Sequence, residues 1–117
     1  MDISKENIIL KKSVAFSLKL IEYVELLEER KKFVIANQLL KSGTSIGANV
    51  HEAQNSESVA DFIHKFKIAA KEAEETDYWL FLCNQSKEYP SSEHLLDLLT
   101  EIKKIINKII TTSKNRN

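Results

Sequence analysis

Both glycines of this chain, Gly43 and Gly47, lie one helical turn apart inside a single apolar-patterned stretch, and Pro90 is its one proline. That is very little turn-forming material for 117 residues. Sheet and α/β folds need many connections, and glycine and proline supply most of the special backbone angles those connections use. A chain so poor in both is restricted to a few long helices joined by short links.

The glycine stretch, Ala36 to Gln54, reads ANQLLKSGTSIGANVHEAQ. On a helical wheel Ala36, Leu39, Leu40, Gly43, Ile46, Gly47 and Val50 share one face, with Gln38, Lys41, Ser45 and Asn49 opposite or on the flank. Two glycines in a helix interior cost about 1 kcal/mol each relative to alanine. Their place at the centre of the apolar face predicts close approach of a second helix, which makes Gly43 and Gly47 packing residues. The competing reading is a break, with two short helices and a turn at Ser42 to Ser45.

The periodicity predicts four helices. The first runs from about Ser4, as N-cap, to Glu28, with Ile9, Phe16, Leu20, Tyr23 and Leu27 in one stripe flanked by Leu10, Val14, Ile21 and Val24. The join near Glu29 to Lys32 carries no strong breaker and is inferred from length alone. The second helix is expected to stop near Asn55 in a left-handed cap. Ser56 or Ser58 caps the third, Ser58 and Asp61 having capping-box spacing. That helix, about Glu57 to Ser86, has Val59, Phe62, Ile63, Phe66, Ala69, Ala70, Ala73, Leu80 and Phe81 on its inner face. Pro90 stops helix in the loop Ser86 to Ser92, and Ser91 caps the fourth helix. The last helix buries Leu95, Leu98, Leu99, Ile102, Ile105, Ile106, Ile109 and Ile110, and the terminal SKNRN is expected to fray. Long helices with short links predict an all-α, antiparallel up-and-down four-helix bundle in a single domain over residues 1–117.

At 43% apolar and 29% charged the composition is that of an ordinary globular protein. Cys83 is alone, so there is no disulfide framework, and no apolar run is long enough for a signal peptide or a membrane span. These features predict a cytoplasmic protein.

No catalytic constellation emerges. Asp61 and His64 have the spacing of half a di-metal carboxylate site, but the second half is missing and both stand away from Phe62 and Phe66. His51 and His94 each neighbour a glutamate only in sequence, and adjacent residues do not face each other on a helix. Cys83 has no basic partner on its helix and reads as a packed thiol. SGTSIG lacks both the Gly-Lys-Ser/Thr ending and the preceding strand of a phosphate loop. No metal and no cofactor is therefore expected. Asp77 falls between Ala73 and Leu80, on the inner face or at its rim. If inside, it needs donors, with Thr44, Ser45 or Asn49 within the sequence's offer.

Two surface patterns remain. Ile68, Trp79 and Leu82 form a second apolar stripe on the outer face of the third helix, and Ile8, Leu18 and Leu26 share an outer arc of the first. Together they are the candidate oligomer interface, with Trp79 as anchor. The charge, zero in total, is unevenly placed. Residues 1–19, 45–68 and 102–117, which an up-and-down bundle brings to one end, hold eleven Lys and Arg against five Asp and Glu; the remainder holds six against twelve. Lys11, Lys12, Lys19, Lys65, Lys67, Lys103, Lys104 and Lys108 are the candidate nucleic-acid contacts at that end, with Lys114 and Arg116 beyond them. No aromatic platform interleaves these lysines, which predicts sequence-independent binding.

The segments QLLKSGTSIGANVHEAQ and DFIHKFKIAAKEAEETDYWLFL, in that order and separation, resemble the 23S rRNA intervening-sequence protein family, four-helix-bundle proteins similar to the accessory variability protein of diversity-generating retroelements. The resemblance covers nearly the whole chain. It implies a bundle that assembles into a homopentameric, barrel-like ring, with retroelement relatives that bind nucleic acid and a reverse transcriptase through a basic surface. It implies no catalytic residues and no ribosome membership. This chain departs from strongly basic relatives in its net charge of zero. Three function classes stand side by side: an oligomeric accessory or scaffold protein for RNA, DNA or a nucleic-acid enzyme; an interaction module with protein partners only; and, against the missing constellations, an enzyme or metal protein.

Overall fold

A computed structural model of the chain describes residues 7–115. Four helices follow one another: α1 (Ile8–Glu29), α2 (Phe33–Ala53), α3 (Val59–Gln85) and α4 (Glu93–Lys114). Helices consecutive in the chain pack together, and α1 closes the circle on α4; the backbones of the diagonal pairs α1/α3 and α2/α4 do not approach closely. This is the all-α up-and-down four-helix bundle, a rod of 48 × 22 × 20 Å.

Ser4, the expected first cap, lies outside the described residues. α1 begins at Ile8, where Asn7 Oδ1 accepts from the Leu10 amide at 3.4 Å. The join that lacked a breaker closes α1 with a left-handed residue, Lys31, at φ 63°. The Lys32 amide donates to Leu27 O at 2.8 Å and the Lys31 amide to Glu28 O at 2.9 Å, the paired bonds of a Schellman cap. The left-handed cap expected at Asn55 does not form: α2 stops at Ala53 with Gln54 in right-handed geometry, and Lys31 is the one non-glycine of positive φ among the described residues.

α2 runs unbroken through both glycines, so the alternative of a turn at Ser42 to Ser45 is excluded. Gly43 is buried against Leu20 of α1 and Thr76 of α3, and Gly47 lies over Ser13 and Ser17 of α1. Leu40, placed on the same face by the wheel, turns outward beside the α1 crossing.

α3 starts with the expected Ser58–Asp61 pairing, a variant of the capping box in which the return bond comes from the Glu57 amide rather than that of Ser58. Ser58 Oγ accepts from the Asp61 amide at 3.0 Å, and Asp61 Oδ2 accepts in return from the Glu57 amide at 3.3 Å. Its inner face needs two corrections. Val59, in the first turn, and Phe81, about 80° round the helix from Ala73, are exposed, while Thr76 and Cys83 are buried. The buried row steps Ile63, Phe66, Ala69, Ala73, Thr76, Leu80, Cys83 and thereby passes Asp77 by. A similar shift applies on α1, where Leu10 and Val24 are buried but Val14 and Ile21 are exposed, because α2 approaches on the Ser13 and Ser17 side.

The Ser86–Ser92 loop is tied down from two helices, α1 and α3. Tyr23 OH donates to Pro90 O at 2.7 Å and Ser92 Oγ to Leu80 O at 2.6 Å, while Asn84 Oδ1 accepts from the Ser92 amide at 3.1 Å. Ser92, not Ser91, is the N-cap of α4, although Ser91 Oγ still accepts from the Glu93 amide at 3.3 Å. Pro90 fixes the end of the loop, and the hydroxyl of Ser92 is spent on α3.

The core is continuous along the rod. Phe16, Leu20, Leu27, Leu39, Ile46, Val50, Phe66, Leu80, Leu99, Ile102 and Ile106 are wholly buried. At about 25 cal/mol per Å² of apolar area removed from water, this shared interior is the main term holding the helices together.

Candidate nucleic-acid interface

One groove establishes which segments share an end. Asn7, Ile8 and Ile9 of the α1 start, Gln54 after α2, Phe62 and Phe66 of early α3, and Ile105, Lys108, Ile109, Thr112 and Ser113 of late α4 line a single cavity of about 420 Å³. The three stretches assigned to one end from sequence therefore meet there, through residues 7–9, 54–66 and 105–113.

The candidate lysines divide into two groups. Lys12, Lys65 and Lys103 are half-buried and paired: Lys12 with Glu101 at 3.1 Å, Lys65 with Glu52 at 3.2 Å, and Lys103 with Glu74 at 3.1 Å and Asp77 at 3.2 Å. Lys11, Lys19, Lys67, Lys104 and Lys108 are exposed and form no salt bridge among the described residues. A lysine with a carboxylate at salt-bridge distance offers less field to a phosphate than one open to water. Of the five exposed lysines, Lys19 does not join the expected end: it borders the start of α4 beside Ser91 and His94. Lys114 is exposed in the last turn of α4, and Arg116 lies outside the described residues.

Asp77 stands at the rim, half-buried, and its donor is Lys103 of α4 rather than Thr44, Ser45 or Asn49 of α2. Those three α2 side chains instead bond back to their own helix, at Leu40 O, Lys41 O and Ser45 O. Thr76 takes the inner position, its Oγ1 at 2.9 Å from Ser42 Oγ and 2.7 Å from Glu72 O. Burial works to lower the Lys103 pKa, but the hydrogen bonds to Glu74 and Asp77 outweigh it and hold the ammonium above its ordinary range.

Sequence reasoning missed an aromatic element. Phe62 of α3 and Lys108 of α4 line the same groove, with the Phe62 and Phe66 rings 4.8 Å apart between centroids. No local spacing could have revealed the pair, because the residues belong to different helices and meet only through the α3–α4 packing.

The outer apolar rows also resolve. On α1, Leu18 (59% exposed) stands in an i, i+4, i+7 row with Val14 and Ile21, about 80° round the helix from Ile8 and Leu26. Leu26 borders α4 beside His94 and Leu95, and Ile8 edges the groove. The three α1 candidates are thus exposed, but they occupy two neighbouring strips. On α3, Ile68, Trp79 and Leu82 are half-buried; Trp79 packs partly on its own core and its Nε1 donates to Glu75 Oε2 at 3.1 Å. Tyr78 and Phe81 add further exposed aromatic surface to α3.

Other chemistry is sparse. His51, His64 and His94 are exposed, and Asp61 is occupied in the α3 cap. Among the described residues no three His, Cys, Asp or Glu side chains gather to hold a metal ion. Cys83 is buried beside Tyr23, and burial raises both its pKa and that of the tyrosine. No helix among the described residues is long and apolar enough to cross a membrane.

Comparison with known proteins places this architecture. The chain superposes on the crystal structure of a protein of unknown function from the S23 ribosomal protein family of Bacteroides thetaiotaomicron VPI-5482 with a TM-score of 0.83. The two are 42% identical, over 88% of this chain and 98% of that one. No curated protein matches. The family model of the 23S rRNA-intervening sequence protein matches residues 5–111, and with nearly the whole bundle covered the chain belongs to that family.

Proposed function

We propose that the protein is a non-enzymatic, homo-oligomeric accessory or scaffold protein that binds nucleic acid, or an enzyme working on it, through its basic end. The observation that carries this reading is that segments 1–19, 45–68 and 102–117, which converge on one end, hold eleven Lys and Arg against five Asp and Glu on a chain whose net charge is zero, with Lys11, Lys67, Lys104 and Lys108 exposed and unbridged. Such an excess of cations over carboxylates presents a local field for phosphates, and each phosphate neutralised releases condensed counterions. The family name ties these proteins to an rRNA-borne element, which makes RNA the first ligand to test.

Self-association has separate support. α1 and α3 are diagonal in the bundle, so their outer apolar rows face opposite ways on one subunit. Two different patches on opposite sides favour a heterologous contact, which closes into a ring when the rotation allows. The number five comes from the family resemblance alone. A module with protein partners only is the second reading, favoured by the same exposed rows.

The test is a gel shift with RNA and with DNA at low and moderate salt, alongside sedimentation. The parent is expected to shift nucleic acid with strong salt dependence. Lys11→Glu, Lys104→Glu and Lys108→Glu combined should abolish the shift and leave the oligomer intact. Absence of binding by the parent at low salt, or unchanged affinity in the triple variant, sinks the nucleic-acid reading. A monomer at micromolar concentration sinks the assembly.

A further inference from the structure

We propose that the groove between α1, α3 and α4 takes one unstacked base of a single-stranded nucleic acid, with Phe62 as its stacking surface and Lys108 on the adjoining phosphate. The proposal rests on the nucleic-acid reading above and narrows it to a strand type and a pocket.

The groove has the right size and lining. Its volume of about 420 Å³ falls within the range of small-ligand pockets, roughly 300–1,000 Å³. Its wall is apolar and aromatic, from Phe62, Phe66, Ile105 and Ile109. Phe66 is 1% exposed and so fixed, and it holds Phe62 at a ring-centroid distance of 4.8 Å. Phe62 is half-buried, and a second cavity of about 330 Å³, reached past Ser58 and Val59, also touches it. The two openings meet at the Phe62 ring, which suits a base entering from one side while its strand passes along the other.

The rim supplies hydrogen-bonding groups without opposing charge. Thr112 and Ser113 bring hydroxyls, and Gln54 spends one Nε2 hydrogen on Val50 O at 2.8 Å, which leaves the other for a ligand. No aspartate or glutamate lines the larger cavity. Lys108 stands at its edge without a salt bridge, and Lys104, one turn earlier on α4, continues the cationic track outside it. An aromatic wall flanked by free lysines is how sequence-tolerant single-strand sites are built. A base stacked inside a duplex cannot present its face to Phe62, so the groove discriminates strand type and not sequence.

Fluorescence anisotropy with an oligouridylate of about twelve nucleotides, within usual single-strand site sizes, and with an RNA duplex of equal length tests this on the full chain. The parent should bind the single strand more tightly than the duplex. Phe62→Leu should weaken single-strand binding roughly five- to a hundred-fold and leave duplex affinity and the salt slope unchanged, while Phe62→Tyr retains binding. Thr112→Trp, which blocks the groove from its exposed rim without touching the core, should reproduce the selective loss even if Phe62→Leu folds poorly. Equal affinity of the parent for both ligands overturns the groove, as does equal loss of both in Thr112→Trp or unaltered single-strand binding there; the basic-end reading survives each of these. No binding of either ligand by the parent overturns both.

Discussion

Leu20 Cδ2 occupies the space into which a Cβ on Gly43 would project. Leu20 is wholly buried, so a side chain at 43 can be admitted only by moving the core. Gly47 differs: its nearest neighbours would be Ser13 Cβ at 3.4 Å and Ser17 Oγ at 3.6 Å, ordinary contact distances. Gly43→Ala is therefore expected to cost about 1–2 kcal/mol even after the gain in helix propensity. Gly47→Ala should be neutral or gain up to about 1 kcal/mol. Gly47→Leu, too large for the space over Ser13 and Ser17, should cost about 1–3 kcal/mol. Urea melts of the three variants decide the matter, and a Gly47→Leu protein as stable as the parent would show that no tight helix crossing exists there.

Lys31 carries the left-handed cap of α1 with a side chain that this conformation penalises. Glycine removes the penalty and loses some of the gain to its greater freedom in the unfolded chain. Lys31→Gly is expected to raise stability by about 0.5–1 kcal/mol, read as a higher urea midpoint at unchanged slope. A lower midpoint would mean that the Lys31 side chain contributes more than its backbone costs.

Tyr23 predicts an alkaline limit. Burial first, and the neighbouring Cys83 second, push its pKa above the ordinary 10.0, and burial raises Cys83 above 9.0. Groups whose folded pKa is raised contribute stability that is complete below the unfolded value and is lost as pH climbs towards the folded one. The parent should thus lose stability progressively above pH 9 to 10. In Tyr23→Phe the curve should start lower, by about 0.5–1.5 kcal/mol for the lost bond to Pro90 O, and fall less steeply above pH 10. Parallel curves for parent and variant from pH 8 to 11 would refute the linkage.

The Lys103, Glu74 and Asp77 group is partly exposed, so each single pair is worth little. Asp77→Asn should cost less than about 1 kcal/mol. Lys103→Glu instead sets a third carboxylate beside two others, and should destabilise more than Asp77→Asn or Glu74→Gln alone in thermal melts. For this reason charge reversals aimed at ligand binding belong at Lys104 and Lys108. Equal melting temperatures for Lys103→Glu and the parent would remove the group from any structural role.

Much of the bundle was legible along the chain because helical faces are local. The stripes Ile9–Phe16–Leu20–Tyr23–Leu27 and Leu95–Leu99–Ile102–Ile106 repeat at the period of one helix, and Ser58 with Asp61 announces a cap within a single turn. The scarcity of glycine and proline limited the chain to few connections, which with these stripes determines a four-helix bundle. The α1–α2 turn was not legible, since Lys31 adopts by force of the surrounding cap a conformation that sequence assigns to glycine. For Asp77 the sequence leaves the inner face and the rim equally open, because a wheel spreads a 27-residue helix evenly, whereas the actual buried row follows the neighbours it packs against and leaves Asp77 at the rim.

The sequence by itself determined the helices, their order and the uneven distribution of charge, all consequences of short-range periodicity and composition. Only the tertiary structure decided which lysines are free, because pairing depends on which carboxylate a neighbouring helix brings within 4 Å: Glu101 to Lys12, Glu74 and Asp77 to Lys103. It alone brought Phe62 into one groove with Lys108, 46 positions away in the chain. Contacts between helices are set by the angle and register at which whole faces pack, and a one-residue rotation that leaves every local stripe intact exchanges their partners.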